Sequence, residues 1–281
     1  MTTGFFTDTT LCIGCKACEV ACKQWNELPS DGFTFTGDSY DNTSQLSGTT
    51  WRHVAFVEQT SVGQEGFTDR WLMLSDVCKH CANAGCMEAC PTGAIVRNEF
   101  GSVFVQPDVC NGCGYCVVSC PFGVIDMIEK FDPNGTLYNL ATLRKDRREE
   151  RATALQATGG VAGKCTLCYD RQRLGFEPAC AKACPTQSIQ FGKVDELRER
   201  ARHRVETLQA RGVEATLYGA DDVGGGIGPL HAFFLLTDPP ETYNLPPEPV
   251  LPSTRQRDGY VAAAIAAVGL AAAAWTIFRN V

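Results

Sequence analysis

CKHCANAGCMEACPTGAIVRNEFGSVFVQPDVCNGCGYCVVSCPFG, residues 78–123, decides how this chain is read. Cys78, Cys81, Cys86 and Cys90 form one set, and after 19 residues Cys110, Cys113, Cys116 and Cys120 form another. The stretch between them has room for a strand over Ala94 to Val96, a turn at Asn98 to Gly101 and a strand over Val103 to Gln106. Working outward, Cys12, Cys15, Cys18 and Cys22 repeat the theme 55 residues upstream, and Cys165, Cys168, Cys180 and Cys184 repeat it 44 residues downstream. The first and third sets read C-x2-C-x2-C-x3-C; the second widens one gap to four residues and the fourth to eleven. All 16 cysteines of the 281-residue chain are used, with none left over. Pro91, Pro121 and Pro185 follow the last cysteine of three sets, and Lys23 takes that place in the first.

This spacing has a chemical reading. Three thiolates two residues apart on a curling loop reach three irons of one 4Fe-4S cubane. The fourth begins a helix that leaves the loop and reaches the cluster of a partner motif. Two motifs then share two clusters, and four motifs hold four. The short gap between Cys90 and Cys110 is the internal geometry of a two-cluster ferredoxin, so sets two and three are expected to pair, leaving one and four to pair across the long gaps. On that reading Cys12, Cys15, Cys18 and Cys184 hold cluster one, and Cys165, Cys168, Cys180 and Cys22 hold cluster two. Cys78, Cys81, Cys86 and Cys120 hold cluster three, and Cys110, Cys113, Cys116 and Cys90 hold cluster four. A pairing of one with two and three with four remains open. A disulfide framework suits short secreted chains, and cysteines at i, i+3, i+6 pair poorly. Zinc sites favour two cysteine pairs across a spacer over three cysteines in seven residues.

The fold class expected is α+β: two ferredoxin-like two-cluster modules with insertions, plus a C-terminal transmembrane helix. Residues 1–77 carry the first motif and an insertion, and 78–133 the central module. Residues 134–237 hold a second insertion, the fourth motif and a packing helix. A Pro-rich strap over 238–257 leads to the terminal helix over 258–281. The second insertion includes a charged surface helix over Arg144 to Ala157. Short strands are expected at His53 to Glu58 and Trp71 to Leu74. Val194 to Arg211 reads as an amphipathic helix with Leu197, Ala201, Val205 and Leu208 on one face and Gly212 as its C-cap, packed on the cluster core. Gly224, Gly225, Gly226 and Gly228 lack the strand-turn-helix frame of a dinucleotide site and read as a loop. Tyr260 to Phe278 carries no charge over 19 residues, enough to span a bilayer, and its small residues suit close approach of a partner helix.

A net charge of −7 gives no basic face for nucleic acid. The N-terminus lacks the basic and apolar regions of a signal peptide. His53, His80, His203 and His231 are scattered, and no catalytic constellation is expected with every cysteine committed. His80, between two ligands, fits a role tuning potential.

The chain resembles the iron–sulfur beta subunit of membrane-bound, respiratory formate dehydrogenase. CIGCKACEVACKQWNEL (12–28), CNGCGYCVVSCPFG (110–123), KCTLCYDRQRLGFEPACAKACPT (164–186), RVETLQARG (204–212) and ETYNLPPEP (241–249) carry the likeness. The cluster motifs alone are shared with subunits of dimethyl sulfoxide, polysulfide and tetrathionate reductases and some hydrogenases; the strap and terminal helix favour formate dehydrogenase. In nitrate reductase beta subunits an aromatic replaces one ligand, whereas all ligands here are cysteine. Departures are the insertion at Asn134 to Lys164 and a tail ending soon after Phe278. The resemblance implies an electron-transfer subunit between a molybdenum or tungsten pterin catalytic alpha subunit and a membrane cytochrome b gamma subunit that reduces quinone. It also implies a place at the cell membrane, on the outer face, reached with the partner's twin-arginine signal.

Overall fold

A computed structural model describes residues 1–30, 32, 43, 45–63, 66–128 and 160–279. The charged helix expected over Arg144 to Ala157 lies outside them. The fold begins with strand β1 (Thr3–Asp8) and helix α1 (Ala17–Trp25), then a long hairpin, β2 (Arg52–Gly63) and β3 (Gly66–Val77). The central module follows as α2 (Gly85–Glu88), β4 (Ile95–Arg97), β5 (Val103–Val105), α3 (Tyr115–Ser119) and β6 (Asp126–Ile128). Next come β7 (Val161–Gly163), α4 (Tyr169–Arg173), α5 (Ala179–Lys182), β8 (Ile189–Lys193) and α6 (Val194–Gln209). The last elements are β9 (Thr216–Tyr218), β10 (Ala232–Leu236) and α7 (Pro252–Arg279).

The turn between the central sets forms as its composition dictates. β4 and β5 pair antiparallel, Ile95 opposite Val105. The Asn98 side-chain oxygen accepts from the amides of Phe100 and Ser102, and Gly101 takes the left-handed φ of 78° that closes the turn. The strands expected at His53 to Glu58 and Trp71 to Leu74 are present but longer, 12 residues each, paired from Arg52–Val77 to Gly63–Gly66.

A four-stranded sheet in the order β8-β1-β10-β9 has no counterpart in the sequence-based expectation. β1 lies inside it, parallel to β10 and antiparallel to β8. Successive side chains of a strand point to opposite faces, and β1 uses both. Phe5 joins the core containing Cys18, Cys78, Cys165 and Cys180, whereas Phe6 stacks on Phe233 with ring centroids 5.5 Å apart beneath α6. The α6 helix therefore packs on the far face of this sheet through Leu197, Ala201 and Leu208, and not on the cluster core as expected. The sheet intervenes because its β1 and β10 strands are buried on both faces. Helix α6 ends as expected: the Val213 amide reaches back to the Leu208 carbonyl, with Gly212 at φ 76°. Arg204 on this helix donates from Nε to the buried Asp8 carboxylate at 2.8 Å, which also accepts from the Thr10 amide. Arg204→Ala leaves that carboxylate short of its cation. A loss of about 3 kcal/mol is expected, read as a lower thermal midpoint by circular dichroism.

The glycine-rich segment forms a loop, as its sequence implies. Its Ile227 carbonyl accepts from the Asn83 amide, and the Pro229 carbonyl from Ala82, so the loop clasps the second cysteine set. At the C-terminus α7 runs 28 residues. Among the described residues no helix is long and apolar enough to cross a membrane. The stretch expected as a span, Tyr260 to Phe278, is the second half of this alanine-rich helix. Nine of those 19 residues are alanine, and each contributes little to insertion.

Candidate iron–sulfur centres

Each cysteine set is a loop wound by left-handed residues into a short helix. Gly14 and Gly112, at the same place in the first and third sets, have φ of 67° and 77°. A Cβ on Gly112 would lie 2.6 Å from the Gly160 carbonyl oxygen, so glycine is required there. Lys16 and Gly114 repeat the left-handed turn immediately before α1 and α3. The third and fourth cysteines of every set are four residues apart: Cys18 and Cys22, Cys86 and Cys90, Cys116 and Cys120, Cys180 and Cys184. In α1 one helical turn carries both sulfurs along one face; in the other sets the fourth cysteine lies at or just past the helix end. Helix α1 packs on α5, and α2 on α3.

The cysteines converge accordingly. One cavity is lined by Cys12, Cys15, Cys18 and Cys184, with Ile13, Val54 and Ile189 as apolar wall. A second is lined by Cys78, Cys81, Cys86 and Cys120, with Val103, Phe122 and Ile125 around it. Cys22 faces Cys165, Cys180 and Cys168, and Cys116 faces Cys110, Cys113 and Cys90. Cys165 also faces Cys78, so the two pairs of sites adjoin there. Among the described residues no three His, Cys, Asp or Glu side chains are grouped to hold a single metal ion.

The electrostatics fit a cationic multi-iron guest. Burial pushes the Cys18, Cys86, Cys116 and Cys168 thiols up to about 12. Neighbouring cysteines contribute to the rise at Cys86, Cys116 and Cys168. Such thiols surrender their protons only to bound metal. The residues after the C-P step supply compensation: backbone amides of Val124, Phe122 and Gly123 face the Cys120 sulfur. At the more open Cys90, burial raises the thiol, but the Thr92 hydroxyl and the amides of Ile95, Ala94 and Thr92 outweigh it and hold it below its usual value. Proline turns the chain so that the amides beyond it point back at the sulfur. In the first set Lys23 instead ties its helix down, donating to the carbonyls of Pro29 and Thr49 at 2.9 and 3.0 Å.

Several contributors escape a reading centred on cysteine spacing. Lys164 is buried and donates to the carbonyls of Val103 and Cys165. Burial alone would lower it, but Cys78, Cys86 and Cys165 hold it above its usual value. Lys79 is 1% exposed, paired with Asp76, with its ammonium 5.1 Å from the Phe234 ring centre. Arg97 donates to the carbonyls of Cys81 and Ala82, each at 2.7 Å. Arg52 is buried beside Cys180, Cys18, Cys165 and Cys22. The only sequence signal for Lys79 and Lys164 is adjacency to a ligand; for Arg52 there is none. His80 lines the Cys78 cavity, and its Nδ1 accepts from the Val103 amide at 3.1 Å.

Cysteine-walled cavities in adjoining pairs, with apolar walls and flanked by buried cations, define an iron–sulfur protein of the dicluster ferredoxin class. Comparison with known proteins agrees. Profiles described as 4Fe-4S dicluster domain match residues 69–134 in one case, and 11–94 with 109–188 in another. The nitrate-inducible formate dehydrogenase iron–sulfur subunit of Escherichia coli (strain K12) is 38% identical over 247 residues, covering 86% of this chain and 71% of that one. The formate dehydrogenase-O iron–sulfur subunit of the same strain is 37% identical over 280 residues, 98% of this chain and 81% of its own. The B subunit of that strain's anaerobic dimethyl sulfoxide reductase is 33% identical over 197 residues, 70% of this chain and 76% of its own. The chain belongs to the family of formate dehydrogenase iron–sulfur subunits, built from 4Fe-4S dicluster domains and related to the dimethyl sulfoxide reductase B subunit. Its 16 cysteines fit four 4Fe-4S clusters.

Proposed function

We propose that this chain carries electrons from a molybdenum or tungsten pterin subunit that oxidises formate to a membrane cytochrome b that reduces quinone. The observation that carries the reading is the convergence of cysteines from distant sets. Cys184 lines the cavity of Cys12, Cys15 and Cys18, and Cys120 that of Cys78, Cys81 and Cys86. We assign the ligands on that basis: Cys12, Cys15, Cys18, Cys184; Cys165, Cys168, Cys180, Cys22; Cys78, Cys81, Cys86, Cys120; and Cys110, Cys113, Cys116, Cys90. The bound clusters supply one-electron redox chemistry, with potentials tuned by hydrogen bonds, burial and nearby charge.

The chain's own residues do the rest. Apolar walls such as Val54, Ile125 and Phe122 keep water from the sulfurs. Amides beyond the C-P steps donate to them, and the helical turns that carry two cysteines hold neighbouring sites a fixed, short distance apart. The contact of Cys165 with Cys78 supports a single file: the Cys12 site, the Cys165 site, the Cys78 site, then the Cys110 site. The modules fall at 1–77, 78–133 and 134–237, the outer two closing on each other.

Helix α7 is the proposed attachment to the membrane partner. Its Ile265, Val268, Leu270 and Trp275 are 69–72% exposed, an apolar display suited to the helices of a cytochrome b. On the family resemblance, the rest of the chain is proposed to stand on the outer face. The test is purification from the native host under anaerobic conditions, with iron, acid-labile sulfide and mass-spectrometric analysis. About sixteen iron per chain and a co-purifying pterin enzyme that oxidises formate are expected. A co-purifying nickel hydrogenase would overturn the choice of partner, and a colourless zinc protein would end the cluster reading.

A further inference from the structure

Arg52 opens β2 opposite Val77, and its side chain is among the largest fully buried of the described residues, 1% exposed. Burying a guanidinium is costly unless its charge and donors are matched. The protein meets only part of that demand. Nη1 donates to the carbonyl and the hydroxyl of Ser75 at 3.2 and 3.1 Å, and the plane lies 4.7 Å from the centre of the Phe5 ring. Nε and Nη2 have no partner among the described residues. The groups that face the guanidinium are sulfurs: Cys18 of one outer site, and Cys22, Cys165 and Cys180 of its neighbour. Ser75 extends the link, its hydroxyl oxygen 3.3 Å from the Cys18 sulfur.

A merely structural arginine would spend its donors on carbonyls, as Arg97 does with Cys81, Ala82 and Gly101. Arg52 keeps two nitrogens unspent at the seam between two sites that together carry eight cysteines. We propose that Arg52 is a shared positive charge and hydrogen-bond donor for the two clusters of the outer pair, holding the potentials of both above the value their thiolates alone would set. The proposal rests on the four-cluster reading above. One electron arriving at either site from its neighbour adds one negative charge there and leaves again as it passes on; no bond is made or broken. The guanidinium stays protonated throughout, so passage through this pair is not tied to proton movement at Arg52. A lysine would keep the charge but lose the planar fork that addresses both sites at once.

The test is EPR-monitored redox titration of the purified complex, with iron quantified in parallel. Arg52→Met is expected to lower the midpoint potentials of two clusters, each by at least tenfold in the reduction equilibrium, or about 59 mV for a one-electron couple. The other two stay where they are. The affected pair is identified as the one disturbed in Cys184→Ser and Cys22→Ser. Arg52→Lys, which retains the charge but not the fork, restores the potentials only in part. Should Arg52→Met fail to load iron, Arg52→Gln makes the same measurement with a polar, neutral side chain. Unmoved potentials in a fully loaded neutral variant overturn the proposal, as do equal shifts in all four clusters. Native protein without iron overturns the four-cluster reading beneath it.

Discussion

Cys184→Ser is expected to empty the site built around Cys12, Cys15 and Cys18 and to leave the site of Cys165, Cys168 and Cys180 filled. Iron falls from about sixteen to about twelve per chain, one cubane lost. The residue sits just beyond α5, one helical turn after Cys180, and lines the N-terminal cavity. Pairs of substitutions make the assignment decisive, because changes within one site do not add whereas changes in separate sites do. Cys184→Ser combined with Cys12→Ser loses no more iron than either alone. Combined with Cys165→Ser it loses about eight iron, two cubanes. The reverse pattern would return the assignment to one in which each set keeps its own fourth cysteine.

Lys164→Met is the second large effect. It removes a buried ammonium that joins the two pairs of sites, leaving the carbonyls of Val103 and Cys165 without their donor. Two buried carbonyls stripped of a charged partner cost about 3 kcal/mol together. That corresponds to a drop of roughly 6 °C or more in thermal midpoint, followed anaerobically by loss of cluster absorbance. The redox consequence is separable. Cys78, Cys86 and Cys165 lose the cation they face, so the clusters on either side of the joint become harder to reduce while the Cys110 site does not. Wild-type stability in a loaded Lys164→Met protein would show that the ammonium is dispensable to the core.

What is legible in the sequence is whatever obeys short-range rules. The β4–β5 hairpin follows from Asn98 and Gly101 in a short gap. Helix α6 follows from its apolar spacing, and its end from Gly212. The glycine-rich loop follows from the absence of a flanking strand and helix. The four-stranded sheet does not emerge, because its strands give no periodic signal. AFFLL in β10 is buried at all five positions, and a strand covered on both faces looks like any apolar run. β1 meets partners far along the chain (Phe5 with Phe191 and Ala232), pairings that no local pattern announces. The same limit hides the reach of the β2–β3 hairpin, whose distal residues are polar, and the role of Arg52, which depends on cysteines from two distant sets. The terminal helix is legible in outline only. A charge-free stretch of sufficient length reads as a span, while among the described residues no helix is long and apolar enough to cross a membrane.

The inner position of β1 has a consequence for how the protein is made. Synthesis proceeds from the N-terminus, yet Thr3–Asp8 cannot take its place until β8 and β10 have left the ribosome. On the proposed assignment, Cys12, Cys15 and Cys18 therefore emerge as an open, three-quarter cage that is completed only when Cys184 arrives. The eight cysteines of the central module, by contrast, all lie between residues 78 and 120. Non-local closure is slow and local closure fast, so the central module is expected to fold before the outer pair closes. The earliest thiols to appear are then the last to be enclosed, exposed to oxidation longer than those of the central module.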